Sequence, residues 1–148
     1  MENIAMAITT AFCESAKREF LSGTHLPTHT YKLALLKPTM TGTYGAGTTS
    51  YTSTTGDEVA NGNGYTTGGA TLTGLAYSLV SGTASMDWSD VTWASSSISA
   101  VGGIIYNDSA SGKPALATFS FGGTITSTNG AFTVQIPSGG AGGLIKLS

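Results

Sequence analysis

Thr83–Asn107 reads TASMDWSDVTWASSSISAVGGIIYN. In its first half Ala84, Met86 and Trp88 alternate with Ser85, Asp87 and Ser89, the period of two that marks a strand with one dry and one wet face. Trp93 closes that strand, and the serines at 95, 96 and 97 supply a turn. Ile98 and Ala100 then resume the alternation against Ser99, Gly102-Gly103 interrupts it, and Ile104, Ile105 and Tyr106 follow. The stretch therefore predicts a central hairpin with a bulge at the glycine pair. None of its residues is arranged for chemistry.

Outward from this hairpin the same grammar repeats. Toward the N-terminus, Leu72, Leu75, Tyr77 and Leu79 lie among small polar residues, preceded by the turn signals Asn61-Gly62-Asn63-Gly64 and Gly68-Gly69. Tyr31–Lys37 is a strand apolar on both faces in its middle and ended by Pro38. Toward the C-terminus, Ala115, Ala117, Phe119 and Phe121 form one alternating set, and Phe132, Val134 and Ile136 another. Leu144–Leu147 supplies a last strand after a glycine-rich link. Short alternating strands between turn signals spaced about 8–12 residues apart predict an all-β fold, an antiparallel β-sandwich of about eight strands, Ig-like or jelly-roll-like.

One helix is expected, over Thr9–Ser22. Phe12, Ala16 and Phe20 form its apolar stripe, Thr10 is the candidate N-cap, and Gly23 stands where a C-terminal glycine belongs. The chain thus divides into an N-terminal helical arm, 1–24, and a sandwich domain, 25–148, with a long Thr/Gly-rich loop at 39–64. Within that loop Tyr44 and Tyr51 are candidate exposed anchors for a contact arm.

The chain has 148 residues, enough for one core without staples. Only 9% are charged, against about 25% in ordinary globular proteins, so threonine, serine and glycine carry its solubility. The net charge of −2 is scattered, without the basic cluster that nucleic-acid binding needs. No apolar run is long enough for a membrane helix, and the first residues lack the basic region of a secretory signal. Cys13 is the single cysteine, read as a small apolar residue on the helix face.

Candidate chemistry is thin. His25 and His29 have helical metal-pair spacing, but Pro27 between them breaks the helix, so two loop histidines and no metal site are expected. Asp87 and Asp90 flank Trp88 and fit a solvated rim better than a glycosidase pair. The chain has no G-x-S-x-G, and Gly45–Gly47 lacks the Lys and Ser/Thr of a phosphate loop. Neither an enzyme nor a cofactor is expected. Trp88 belongs to the core by its strand phase, whereas Trp93 is a candidate rim residue.

Several stretches together resemble a family of small structural proteins of tailed bacteriophages, commonly described as head decoration or minor capsid proteins. They are Thr9–Phe12 with Glu14 and Ser15, Lys32–Leu36, Asn63–Thr73, Asp87–Trp93, Ile98–Asp108 and Ala131–Pro137. The resemblance covers most of the chain and implies a virion protein assembled in the host cytoplasm, a cement protein binding the major capsid protein, and a homotrimer. Phe12, Phe20, Tyr44, Tyr51 and Trp93 are the candidate interface residues. Two other roles remain open at this point: a tail-fibre or receptor-binding domain for host carbohydrate, with Trp93 and Tyr51 on its rim, and a tail-tube or terminator component.

Overall fold

The computed structural model describes residues 8–148. Ten strands and one helix follow in order: β1 (Ala11–Phe12), α1 (Glu14–Leu21), β2 (Tyr31–Leu36), β3 (Ala70–Thr71), β4 (Ala76–Val80), β5 (Thr83–Asp87), β6 (Val91–Ser96), β7 (Ser99–Asn107), β8 (Ala115–Thr126), β9 (Gly130–Val134) and β10 (Ile145–Leu147). The fold is all-β and sandwich-like, with antiparallel sheets packed together and one short helix. A five-stranded sheet in the order β1-β8-β7-β2-β3 is the main layer. A three-stranded sheet, β10-β5-β4, and a ribbon, β6-β9, accompany it.

The main sheet is buried on both faces, which explains why β2 reads as a nearly unbroken apolar run. Leu33 and Leu35 of β2, with Ile105 of β7, belong to the main core, together with Met86 of β5, Trp93 of β6, Phe132 of β9 and Trp88 from the link between β5 and β6. On the opposite face Ala34, Ile104, Tyr106 and Ala115 pack against Cys13 and Ala16 of the helical segment. Beside them Leu36 and Val101 close over Ile8 and Tyr44.

The expected hairpin at Thr83–Asn107 does not form. Its three strands go to three different sheets: β5 pairs with β4 and β10, β6 with β9, and β7 with β2 and β8. A tight hairpin turn needs positive φ at its centre, and no residue of the serine run adopts it. Instead the chain turns a corner, where the Ile98 N–H donates to the Ser127 hydroxyl (3.0 Å), itself 2.8 Å from Ser96 Oγ. The bulge is present: the register of β7 against β8 shifts between Ala100 and Gly102. At Gly102 a Cβ would overlap the Phe119 carbonyl oxygen, so only glycine fits there.

The helix is shorter than expected. Ala11 and Phe12 are extended and pair with Ala117 and Thr118 of β8, and the Thr10 hydroxyl accepts the Ser120 N–H (3.0 Å) in place of capping α1. Cys13 holds the N-cap position without a side-chain capping bond, and Gly23 ends the helix at φ 79°, as its position implied. Residues 8–24 are thus built into the sheet and core of the domain and do not stand off as an arm. Residues 1–7 of that segment lie outside the described residues.

Candidate functional site

Two acidic side chains organise the long loop. Asp57 is buried and accepts four hydrogen bonds: from the Thr41 N–H (2.9 Å) and hydroxyl (3.3 Å) at Oδ1, and from the Gly42 N–H (2.7 Å) and Tyr44 hydroxyl (2.6 Å) at Oδ2. Burial opposes ionisation of Asp57, but these donors outweigh it and hold its pKa below the ordinary carboxylate range. Glu58 receives the Tyr65 hydroxyl and Gly68 N–H at Oε1 (2.6 and 2.7 Å) and the Tyr51 hydroxyl at Oε2 (2.6 Å). Burial and the bond to Glu58 push the Tyr65 phenol well up, so it stays a donor, while its oxygen accepts the Leu35 N–H (3.0 Å).

These clamps correct the expectation of exposed anchors. Tyr44 is buried with its hydroxyl on Asp57. Tyr51 is half-buried and stacks on Tyr106, ring centroids 4.2 Å apart. Trp93 is buried between Tyr65 and Phe132, and so leaves the rim for the core. Phe12 and Phe20 are half-buried as well, in edge contact with each other at 6.0 Å. Asp87 and Asp90 are each engaged by a backbone donor. Asp87 accepts the Gly139 N–H and Asp90 the Ile136 N–H, each at 2.9 Å, which pins the chain leaving β9.

The histidines meet around Asn107. Asn107, fully buried, accepts the N–H groups of Ser109 and Ala110 at its Oδ1 (3.0 and 3.1 Å). Its amide nitrogen must therefore face the rings, and it donates to Nδ1 of His25 (3.1 Å) and of His29 (2.9 Å). Each ring then offers a lone pair at Nδ1 and carries its proton at Nε2. His25 Nε2 donates to Glu19 (2.9 Å). Burial lowers the His25 pKa, and the pull of Glu19 only partly offsets it. Both nitrogens of His25 are occupied by protein partners, so the cluster holds α1 to the end of β7.

Other reactive groups are equally committed. Burial pushes the Cys13 thiol up to about 12, aided by the charge of Glu19, which removes it as a nucleophile. Among the described residues no group of three or more His, Cys, Asp or Glu could hold a metal ion, and no helix is long and apolar enough to cross a membrane. A cleft of about 500 Å³ between β8 and β9, lined by Phe119, Phe121, Thr133, Gln135 and Leu144 among others, contains no ionisable side chain.

What the surface does offer is apolar. Tyr77 and Leu79 of β4 are 55% and 74% exposed, and Leu147 of β10 is 46% exposed. Across the three-stranded sheet Tyr77 lies opposite Met86, itself opposite Ile145, and Leu79 lies opposite Ala84, itself opposite Leu147. These two rows share one face of the sheet. Between that face and α1 runs a groove of about 130 Å³ whose walls include Phe12, Phe20, Tyr77, Met86 and Leu147. Leu21, at the end of α1, is 88% exposed.

No protein-family model, curated protein or solved structure matches this chain. Its function is therefore argued from this surface. Sequence reasoning had selected Phe12 and Phe20 from the helical stripe but missed the strip on β4 and β10. The signal was available in the crowding of Tyr77, Leu79 and Val80 into a segment without a charged neighbour.

Proposed function

We propose that this chain is a virion structural protein of a tailed bacteriophage, a decoration or cement protein that binds the head lattice and the major capsid protein within it. The observation that carries the reading is the exposed apolar patch of Tyr77 and Leu79 on β4 and Leu147 on β10, with the groove against α1 beside it. Such a face suits adhesion to a protein partner, because burying apolar area is non-directional and needs no reacting group. Weak individual contacts are sufficient when a lattice repeats them. Self-association forms part of the proposal.

A carbohydrate-binding tail-fibre domain would use Trp93 and Tyr51 as open stacking platforms, and both rings are engaged inside the molecule. The lattice reading is therefore preferred. Cryo-EM of intact particles that contain this chain is the test. The expected result is density for it repeated over the head shell, with Phe12, Phe20 and Tyr77 at the contact. Density confined to the tail, or a single copy at one vertex, would reject the proposal, and hexameric rings by mass photometry would favour the tail-tube alternative.

A further inference from the structure

We infer that the free edge of β4 is a self-pairing surface, on which a second copy of this chain docks through an antiparallel, twofold-symmetric strand contact. Among the described residues β4 is the edge of the β10-β5-β4 sheet. It joins β5 through Ser81-Gly82, whose φ values of 50° and 82° make a two-residue type I′ turn. In such a hairpin the pair flanking the loop, Val80 and Thr83, is hydrogen-bonded, and bonded pairs then alternate. Val80, Ser78 and Ala76 thus spend their backbone groups on β5. The N–H and C=O of Tyr77 and Leu79 point away from the sheet.

Exposed edges are ordinarily blunted by lysine, proline or a bulge. β4 has none of these, and no charged residue occurs between Glu58 and Asp87. Of the seven large apolar side chains exposed among the described residues, three, Tyr77, Leu79 and Val80, are in this one strand. The other uncharged edges of comparable length, β6 and β9, meet across a register shift between Trp93 and Ser96 and turn their large side chains inward.

The occupant follows from symmetry and charge. A twofold axis through Ser78 sets Tyr77 of one copy opposite Leu79 of the other, twice. Both are residues whose backbone groups point outward, so each pair exchanges two main-chain hydrogen bonds. Their side chains fall on the same face and form two aromatic–aliphatic cross-strand pairs. Ser78 meets its own symmetry mate, Ala76 meets Val80, and no like charges come together. The contact joins two apolar faces into one continuous surface, and it is twofold where the resemblance implies a threefold assembly. Five paired residues a side cover less than the about 1,200 Å² of a stable interface, so the dimer is reversible.

Sedimentation velocity of the full chain, from micromolar to near-millimolar concentration, tests this. The wild type is expected to shift from monomer to dimer as concentration rises. Leu79→Pro removes one outward N–H that the fold does not use and should abolish the dimer, whereas Leu79→Ala should keep it in weakened form, with circular dichroism confirming that each variant folds. The paired change Tyr77→Lys with Leu79→Lys sets like charges opposite each other and should also abolish it. Tyr77→Lys with Leu79→Glu sets opposite charges together and should restore it. A wild type that stays monomeric or forms trimers, or two charge variants that behave alike, would overturn the inference.

Discussion

Replacing Asp57 by alanine should unfold the molecule at a markedly lower temperature, although the residue lies in a loop. The carboxylate is 5% exposed and accepts four hydrogen bonds. Two of the donors would find other partners: the Thr41 hydroxyl is exposed to water, and the Tyr44 hydroxyl already lies 3.2 Å from the Ser53 carbonyl. The N–H groups of Thr41 and Gly42 would be left without their acceptor. At about 1–3 kcal/mol for each unsatisfied group, the loss is about 3–5 kcal/mol, allowing for the void left by the side chain. For a domain of this size that corresponds to a Tm lower by about 6–20 °C. Asp57→Asn keeps an acceptor for Thr41 but opposes an amide N–H to the Gly42 N–H, so it should fall between alanine and the wild type. Because the folded pKa of Asp57 is depressed, its contribution is complete above the unfolded carboxylate range and is lost as pH falls through the folded value. The alanine variant should therefore show a shallower acid limb. Differential scanning calorimetry at neutral and acidic pH measures both effects. A Tm within about 2 °C of wild type would refute the reasoning that Asp57 is what holds the loop.

Two further predictions concern buried groups. His25 titrates lower in the folded chain than the about 6.5 of an unfolded histidine, so below that pH the unfolded state binds more protons and stability declines as pH falls. Urea unfolding should give a lower midpoint at mildly acidic pH than at neutral pH, and His25→Phe should flatten that dependence; an unchanged pH profile in the variant would show that His25 is not its source. Cys13 should resist thiol reagents in the native state and label fully in denaturant, measured by intact mass. Rapid native labelling would contradict its burial.

How far the sequence could be read is clearest at the aromatic residues. Trp88 was legible because strand phase alone puts it with Met86. Tyr44 was not, because the carboxylate that draws it inward is 13 residues further on, at the other side of an irregular loop. Local composition there is that of an open arm, and only the fold shows that Asp57 and Glu58 turn it back on the sheet. The same distance hid the histidine cluster, where Asn107 meets His25 from 82 residues away. Period-two alternation merged β5 and β6 into one strand and paired it with β7, since alternation reports a face and neither a corner nor a neighbour. Gly23 and the turn at Ser81-Gly82 act within a few residues of themselves, and such short-range signals are the ones a linear reading recovers.

The corner-turning path of Thr83–Asn107 has a mechanical side. Only residues 88–90 separate β5 from β6, and only residues 97–98 separate β6 from β7. A fully stretched chain spans at most about 3.3–3.6 Å per residue, so these links hold almost no slack. Pulling on any one sheet would load the other two through covalent backbone within a few ångströms of travel. Under load such a molecule gives way all at once or not at all.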